Sequence, residues 1–336
     1  MRAMTLDAPA TLECDPLHLR ERDIPAPAAG QVLVRVHAVG VCRSNLHLIE
    51  GEWVDRHVPA MLPIVPGHEV VGHVAALGAG VSQFAPGERV GVQPLWSTCG
   101  CCARCLSGCE QLCPDKQITG ESVDGGYADY VLATAAHLYR LPDDLEDASA
   151  APLFCPGVTA YGALEKAELV PGCTVAVFGV GGVGHLVIQL ARLAGAEVTA
   201  VARTRRHLEL AEALGAAVIL DATRTDVGAH FAARGGVDAA IVFAPSSAVA
   251  TQAVAALRPR GIAVLGVDAQ LDQVLRDEKR VVSTVIGTRV QMRAVLALAA
   301  AGKLHVTCET YPLEEASVAL ARLKANDLVA RAVLVT

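Results

Sequence analysis

Six of the eleven cysteines of this 336-residue chain lie in one short segment. Four of them follow the spacing C-x2-C-x2-C-x7-C, and these are Cys99, Cys102, Cys105 and Cys113. Four thiolates on a compact loop fit tetrahedral Zn²⁺ and leave no coordination position for a substrate. The pattern therefore predicts a structural zinc site. Because Cys101 and Cys109 lie in the same segment, a different set of four, or disulfides in a secreted protein, is the alternative.

A glycine-rich turn follows the apolar run at residues 175–178 and precedes an apolar helical pattern. Its sequence is G-V-G-G-V-G, and the residues expected to bind a cofactor are Gly179, Gly181, Gly182, Val183 and Gly184. Glycines there permit a tight turn and the close approach of a pyrophosphate to the free N–H groups of a helix N-terminus. A merely tight strand-to-helix turn is the alternative. The strand-turn-helix context favours dinucleotide binding.

The end of the next predicted strand indicates which dinucleotide is used. Enzymes that use NAD commonly have an acidic residue there for the ribose 2′-hydroxyl, whereas this chain has Ala202, followed by Arg203, Arg205 and Arg206. Arginines donate charge-assisted hydrogen bonds to phosphate. The sequence therefore favours NADP(H) over NAD(H), with a solvated arginine-rich face as the alternative.

The length fits two domains, and the composition, 52% hydrophobic and 19% charged, fits a folded globular protein. With 28 basic and 35 acidic residues the net charge is −7, which disfavours nucleic-acid binding. The N-terminus shows no secretory signal, and the most apolar stretch, residues 175–195, is interrupted by glycines, His185 and Arg192. We therefore expect a cytoplasmic protein with no membrane span and no nucleic-acid partner.

The local patterns divide the chain into a β-rich part and an alternating part. Short β-type runs, such as residues 31–37 and 70–74, precede residue 148. From 149 to 289, predicted strands at 174–178, 198–201, 239–243, 262–265 and 281–286 alternate with helical segments at 185–194 and 207–214, which predicts a doubly wound parallel sheet. Residues 290–336, with helices near 292–301 and 313–325 and a strand at 332–335, are expected to rejoin the first domain.

Three dispersed residues, Cys42, His68 and Cys155, suggest a second metal site. Taken singly, each could be an ordinary buried residue. Two thiolates and one imidazole with an open position describe a catalytic zinc that polarises an alcohol or carbonyl oxygen beside a nicotinamide. The dinucleotide signature makes this combined interpretation the preferred one.

These motifs occur together in one known family. The chain contains G-V-C-R-S-x-L-H, G-H-E-V-V-G, C-G-x-C-x-x-C-x-x-G-x-x-x-x-C and D-G-G-Y-A-D-Y, besides the glycine-rich turn. In these it resembles the zinc-dependent alcohol dehydrogenases of the medium-chain dehydrogenase/reductase superfamily, over essentially its whole length. The resemblance implies a Rossmann domain and a β-rich, GroES-like catalytic domain. It also implies hydride transfer between an alcohol, aldehyde or ketone and NAD(P), two zinc ions per subunit, and a homodimer or homotetramer.

The resemblance also implies roles for individual residues. It makes Cys42, His68 and Cys155 the catalytic zinc ligands, with Glu69 behind the metal and able to approach it during ligand exchange. Ser44 would hydrogen-bond the substrate oxygen, and His47 would be the outer member of a proton relay through the cofactor ribose. Arg43 and Arg331 would contact cofactor phosphate, although Ala330 stands where glycine is usual; for both, a solvated surface arginine is the alternative.

Asn45 departs from the family pattern, which usually has aspartate there to hold the zinc-bound histidine. We expect the Asn45 carbonyl to accept the histidine N–H without supplying a negative charge, so that metal affinity or activity is weaker. Trp53 and Trp96 lie near motifs that border the substrate cleft in relatives, and each is equally well a core residue.

Two kinds of rival function remain open. The first is a related enzyme that reduces activated C=C bonds or oxidises polyols, although zinc-free C=C reductases lack the two-cysteine, one-histidine set. The second is a zinc-ribbon binding module with a degenerate Rossmann domain, which the negative charge and the intact catalytic set oppose.

Overall fold

The computed structural model describes residues 1–271 and 276–336. The chain divides into two compact units. The first comprises Met1–Cys155, Thr288–Ala300 and Val306–Thr336, and the second comprises Pro156–Gly287 and Ala301–His305. Relative to the domains predicted from the sequence, the first unit extends as far as Cys155 and the second includes Ala301–His305.

The strands follow one another along the chain as β1 (Arg2–Leu6), β2 (Leu17–Glu21), β3 (Gln31–Val41), β4 (Val70–Leu77), β5 (Arg89–Val92), β6 (Leu95–Ser97), β7 (Gln117–Ile118), β8 (Tyr130–Thr134), β9 (Leu138–Arg140), β10 (Thr174–Phe178), β11 (Glu197–Ala202), β12 (Val218–Asp221), β13 (Val237–Val242), β14 (Leu257–Leu265), β15 (Arg280–Ser283), β16 (Cys308–Pro312) and β17 (Arg331–Val335).

The α-helices are α1 (Arg43–Ile49), α2 (Ala103–Leu106), α3 (Asp147–Ala150), α4 (Pro156–Lys166), α5 (Gly184–Leu193), α6 (Arg205–Ala213), α7 (Val227–Ala232), α8 (Ser247–Ala255), α9 (Arg289–Ala300) and α10 (Ala316–Lys324). Short 3₁₀ helices occupy Leu12–Cys14, Val54–Arg56, Glu110–Leu112, Ala135–His137, Ala151–Phe154 and Leu313–Glu315. Among the described residues, no helix has both the length and the hydropathy needed to cross a bilayer.

The second unit contains the predicted parallel sheet. Its six strands lie in the order β12-β11-β10-β13-β14-β15, and every neighbouring pair is parallel. The first strand, β10, reads as a continuous apolar run because it is almost wholly buried between its neighbours. This strand order is that of a Rossmann fold, so the predicted fold class is confirmed. The predicted run 281–286 is strand only to Ser283, and Ile286 has a left-handed φ of 33°.

The first unit is built on a seven-stranded sheet whose central strand is β3. Strands β16-β17-β3-β4-β5-β9 follow one another across the sheet, and β8 also pairs with β3. β3 runs through Val41, four residues beyond the predicted 31–37. The last four residues of the strand are all buried, so they lack the alternation of buried and exposed residues that marks a strand in the sequence. The C-terminal strand β17 pairs antiparallel with β3, so the tail lies within this sheet. The predicted helix at 313–325 begins as a 3₁₀ turn after Pro312 and becomes α10.

Candidate active site

Three chain segments bring the dispersed Cys, His and Cys residues together. Cys42 follows β3 and caps the N-terminus of α1, His68 lies just before β4, and Cys155 ends the 3₁₀ helix Ala151–Phe154. The ligand atoms of these three residues and of Glu69 all lie within 4.8 Å of one another. The site is interior, with His68 only 1% exposed. This unit thus gathers the predicted ligand set from positions more than a hundred residues apart in the sequence.

The spacing of the donor atoms fits a tetrahedral zinc ion. Cys42 Sγ lies 3.8 Å from Cys155 Sγ. Two sulfurs at the usual Zn–S distance of about 2.3 Å in a tetrahedral site are about 3.8 Å apart. Three such donors leave a coordination position for a substrate oxygen or for the nearby Glu69 carboxylate. The donor set therefore fits a catalytic rather than a closed zinc site.

The pKa values of the Cys42 and Cys155 thiols are shifted in opposite directions. The hydrogen bond with Cys155 lowers the pKa of Cys42 well below its ordinary range, and the neighbouring His68 acts in the same direction against burial. The same hydrogen bond, together with burial, raises the pKa of Cys155. Burial opposes a charged His68, but the adjacent Cys42 outweighs it and raises the pKa of the imidazole. One thiolate is thus already favoured in this cluster, as a metal ligand requires.

A buried ion pair lies beside this cluster. Arg331 Nη2 is 2.5 Å from both carboxylate oxygens of Glu69, and Arg331 is only 4% exposed. Burial raises the pKa of Glu69 to about 7, although the charge of Arg331 opposes the shift. A Cβ on Gly40 would lie 1.9 Å from Glu69 Oε2, so the carboxylate occupies space that only glycine leaves free. Arg331 was predicted to contact cofactor phosphate; the structure instead buries it and gives it a carboxylate partner.

Asn45 is held by two donors. Its Oδ1 accepts hydrogen bonds from the backbone N–H of Cys42 at 3.1 Å and from the hydroxyl of Tyr127 at 3.2 Å. Its Nδ2 lies 3.4 Å from His68 Nδ1. The prediction that the Asn45 carbonyl accepts the histidine N–H is therefore wrong, because that oxygen already serves two other donors. Rotating the amide would place its NH₂ group against the N–H of Cys42.

The predicted proton-relay residues lie on α1. The Ser44 hydroxyl donates to Cys42 Sγ at 3.1 Å and lies 3.4 Å from His68 Nε2, so it borders the metal site. His47 Nδ1 lies 2.7 Å from a carboxylate oxygen of Glu52. Its ring is 5.1 Å from that of Trp53.

The other arginine and tryptophan of the prediction are anchored within the first unit. Arg43 donates to the carbonyl of Leu323 at 3.2 Å and to the side chain of Asn326 at 3.0 Å. Trp96 donates its indole N–H to the carbonyl of Leu132 at 3.1 Å, which anchors it to β8. Neither contact involves the Cys42, His68 and Cys155 cluster.

The cysteine-rich segment forms a second, separate cluster. Its members are Cys99, Cys102, Cys105 and Cys113, whose sulfurs lie within 4.8 Å of one another. Neighbouring sulfurs are 3.6 to 3.9 Å apart, again the edge length of a tetrahedral zinc site. Cys101 and Cys109 are exposed and lie outside this set of four. The four donors match the set that the spacing favours and fit a closed site.

The glycine-rich turn in the second unit connects β10 to α5. Gly179 has a φ of 94°, and a Cβ on Gly184 would lie 1.8 Å from the carbonyl oxygen of Gly179, so the turn tolerates no side chain at either position. A Cβ on Gly181 would meet no atom within 4 Å. Open space thus lies over Gly181 beside the helix N-terminus, with Gly182 and Val183 completing the turn. This geometry fits a dinucleotide pyrophosphate.

The end of β11 lies where a cofactor ribose is expected. Ala202 is the last residue of β11, and Arg203 follows it as an exposed residue. Arg205 begins α6, where its side chain is 87% exposed and forms an ion pair with Glu209 at 2.7 Å. Arg206 is the second residue of the same helix.

Sequence reasoning missed two residues of the first unit. Tyr127 is fully buried and donates to Asn45, yet it was quoted only as part of the D-G-G-Y-A-D-Y motif. Glu121 interacts electrostatically with both His68 and Cys42, and nothing in its local pattern indicates that. The tyrosine could have been found from its motif; the glutamate required the structure.

Comparison with known proteins agrees with this geometry. Residues 28–143 match the alcohol dehydrogenase GroES-like domain, and residues 182–301 match the zinc-binding dehydrogenase domain. The chain is 39% identical over 327 residues to an alcohol dehydrogenase of Geobacillus stearothermophilus, covering 95% of this chain and 96% of that protein. It is 33% identical over 321 residues to the aldehyde reductase AdhA of Synechocystis, covering 94% of each.

A solved structure shows the same likeness. The alcohol dehydrogenase of the hyperthermophilic archaeon Aeropyrum pernix superposes with a TM-score of 0.93 at 30% identity, covering 100% of both chains. Fold, donor sets and relatives together define a zinc-binding, nicotinamide-dependent oxidoreductase. The chain belongs to the zinc-dependent alcohol dehydrogenases of the medium-chain dehydrogenase/reductase superfamily, which confirms the predicted family and class of reaction.

Proposed function

We propose that this protein transfers a hydride between a small alcohol, aldehyde or ketone and NADP(H), with two zinc ions per subunit. Cys42, His68 and Cys155 would hold the catalytic zinc, and Cys99, Cys102, Cys105 and Cys113 the structural one. The observation that carries the proposal is the pair of donor clusters, one of three ligands with the Glu69 carboxylate beside it and one of four thiols. A set of three ligands leaves one zinc coordination position for a substrate, as catalysis requires, whereas a set of four thiols fits a structural zinc ion.

When bound, zinc polarises the substrate oxygen and the nicotinamide exchanges the hydride. The protein's own groups manage the proton. We assign Ser44 to hydrogen-bond the substrate hydroxyl, because its Oγ lies beside both Cys42 and His68. His47 would take up the proton, and the contact of its Nδ1 with Glu52 at 2.7 Å holds the ring in place.

The ion pair of Glu69 and Arg331 affects the charge balance of the metal site. The positive charge of Arg331 neutralises the negative charge of the Glu69 carboxylate. The residues that would hold the zinc therefore need not balance the charge of Glu69. Glu69 would be a further ligand available to the zinc when the substrate is exchanged, because its oxygen lies within 4.8 Å of the other donors.

Cofactor selection would depend on the end of β11. Ala202 offers no carboxylate to a ribose hydroxyl, and the exposed Arg203 is free to meet a 2′-phosphate. A phosphate contact of this kind contributes about 1.5–3 kcal/mol. We therefore expect a higher kcat/KM with NADPH than with NADH, a reversal in Ala202→Asp, and a selective loss of NADP(H) binding in Arg203→Ala. A wild-type preference for NADH would overturn this assignment.

The metal assignment is tested with one cysteine variant and a matched control. Cys42→Ser should lose one of two zinc ions and its alcohol-oxidising activity while keeping its melting temperature. Cys14→Ser removes an exposed thiol outside both clusters and should behave as wild type. Metal analysis by mass spectrometry and turnover assays provide the measurements. One zinc ion in the wild type, or an active Cys42→Ser, would contradict the proposal.

We also propose that the protein works in the cytoplasm as a homodimer or homotetramer. All eleven cysteines are free thiols, and the metal-binding ones must stay reduced, which a reducing compartment ensures. Light scattering of the purified protein measures the assembly, and a monomer would contradict this part of the proposal.

A further inference from the structure

A pocket in the second unit has no part in the function proposed above. Its volume is about 290 Å³, and it is lined by the C-terminal half of α5, the end of α6 and the turn after α9. The polar side chains in its lining are Gln189, Arg192, Lys303 and His305. Its volume is close to the lower limit that is usual for small-molecule sites, so it can hold a small ligand.

The pocket lies at the opposite end of α5 from the glycine-rich turn. α5 begins at Gly184, within that turn, whereas Gln189, Arg192 and Leu193 belong to the half of the helix that ends it. At a rise of 1.5 Å per residue, the helix advances about 14 Å from Gly184 to Leu193. A ligand in this pocket would therefore occupy a place distinct from that of a pyrophosphate at the turn.

A buried side chain fixes the segment that closes the pocket. Gln189 Nε2 donates to the carbonyl of His305 at 2.9 Å, and Gln189 Oε1 accepts the N–H of His305 at 2.9 Å. Gln189 Nε2 also donates to the carbonyl of His185 at 3.1 Å. Because Gln189 is only 6% exposed, water competes little for these bonds. The segment that carries Lys303 and His305 is thus held against α5.

The Arg192 guanidinium is held on the opposite wall of the pocket. Its Nη1 donates to the carbonyl of Leu214 at 2.9 Å. A Cβ on Gly215 would lie 2.6 Å from Arg192 Cζ, so the guanidinium lies directly against the turn after α6. In the described parts of the chain, the Leu214 carbonyl is the one hydrogen-bond partner of this side chain. Since a guanidinium has five N–H donors, the others are available to a ligand.

The ends of the two helices oppose an anion only weakly. A helix C-terminus normally favours cations, because its last carbonyls have no partner within the helix. At the end of α5, however, the carbonyls of Leu190 and Arg192 accept the N–H groups of Ala194 and Gly195. At the end of α6, the Leu214 carbonyl accepts the Arg192 guanidinium. The partial negative charge that these ends present to the pocket is therefore reduced.

The side chains that line the pocket make it basic. Arg192, Lys303 and His305 are all exposed, and none of the described residues in the lining is acidic. Across residues 1–271 and 276–336, neither the Lys303 ammonium nor the His305 ring has a hydrogen-bond or ion-pair partner. In a chain of net charge −7 this is a local excess of positive charge. A concave basic surface attracts anions, and arginine and lysine donors fit phosphate oxygens.

We propose that this pocket is a second anion-binding site, which takes the phosphate group of a small phosphomonoester. Arg192, Lys303 and His305 would donate to the phosphate oxygens, and the rest of the pocket would hold a short organic group. Inorganic phosphate offers the same oxygens, and the test separates it from the ester. The proposal does not depend on the proposed function, because no step of hydride transfer involves this pocket.

The test is isothermal titration of glycerol 2-phosphate and of inorganic phosphate into the full chain, with and without excess NADPH and at an ionic strength matched with chloride. One saturable site per chain should bind each anion and persist when NADPH is present. Lys303→Gln should weaken binding about tenfold, the usual effect of losing one hydrogen bond to a charged group, whereas Lys303→Arg should retain it. Lys116→Gln removes an exposed lysine outside the pocket and should bind as wild type does.

The ring proton signals of His305, assigned by comparison with His305→Gln, should shift on addition of either anion. Tighter binding of the ester identifies a phosphomonoester and tighter binding of phosphate identifies the free ion; both results support the site. The absence of saturable binding at millimolar concentrations, the loss of binding in excess NADPH, or equal affinity in wild type and Lys303→Gln would overturn it. None of these measurements uses turnover, so a failure of the proposed function is detected separately, by the alcohol-oxidation assay.

Discussion

Replacing Asn45 with aspartate should tighten zinc binding at the catalytic cluster. In the native chain Oδ1 serves the Cys42 N–H and the Tyr127 hydroxyl, so the amide NH₂ faces His68 Nδ1. Zinc on the opposite ring nitrogen requires a proton on Nδ1, and two N–H groups would then face each other. Rotating the amide only moves the mismatch to the N–H of Cys42.

Either amide orientation leaves one buried polar group without its partner, which costs about 1–3 kcal/mol. Aspartate keeps an oxygen for Cys42 and Tyr127 and offers the other to His68. We therefore expect zinc affinity at this site to rise about 10–100-fold in Asn45→Asp, the usual size of effects from the partner of a metal-bound histidine. The aspartate carboxylate also favours the tautomer of His68 that carries its proton on Nδ1.

Release of zinc to a colorimetric chelator should show two classes of ion in the wild type. In Asn45→Asp only the class belonging to the catalytic cluster should slow, while the Cys99 to Cys113 site provides an internal control. Cobalt substitution, read from its visible spectrum, reports the same affinity independently. Equal or faster release from the catalytic cluster of the variant would refute the reasoning about the amide.

Three further outcomes are expected. Burial lowers the pKa of His137 from 6.5 to about 4. Between these two pH values the unfolded chain binds a proton on His137 and the folded chain does not. This contribution to the free energy of unfolding is therefore complete above pH 6.5 and should be lost as the pH falls toward 4. The loss is about 2 kcal/mol at pH 5 in urea unfolding, and His137→Gln should abolish it. Gly40→Ala should displace Glu69 from its ion pair and lower the free energy of unfolding by about 3 kcal/mol or more, and a wild-type unfolding curve would refute that packing. Cys102→Ser should lower the melting temperature by about 5 °C or more through loss of the structural zinc, whereas the exposed Cys101→Ser should not; equal melting temperatures would rule out the assigned set.

Features set by neighbouring residues were predictable from the sequence. The strand at residues 174–178 was predicted with its observed bounds, because a buried parallel strand is apolar throughout and the glycine-rich turn follows it directly. The four cysteines of the closed cluster lie within one segment, so their spacing restricts the geometry. The β3 strand was predicted too short, because its last residues, including Gly40, are buried by packing rather than by a local pattern.

Contacts between distant segments were predicted only where metal-ligating residue types or a family resemblance indicated them. Cys42, His68 and Cys155 could be assigned together through their motifs. The partner of Arg331 could not, because a lone arginine near the C-terminus gives the same signal whether it meets a phosphate or a carboxylate. Asn45 illustrates the same difficulty: its amide has one acceptor, and the sequence does not show that Tyr127 and the Cys42 backbone already use it.

The register of β17 on β3 explains why Arg331 meets Glu69. Ala332 lies opposite Val41 and Val333 opposite Gly40, so Arg331 stands beside the point where β3 ends and Cys42 begins. The N–H of Gly40 bonds the carbonyl of Glu69 at 2.9 Å, and the absence of a side chain at Gly40 leaves room for the carboxylate. Side chains alternate between the two faces of a sheet, so a shift of one residue in this pairing would turn Arg331 to the opposite face. The charge balance of the metal site therefore depends on the pairing of the C-terminal strand, nearly three hundred residues from the first zinc ligand.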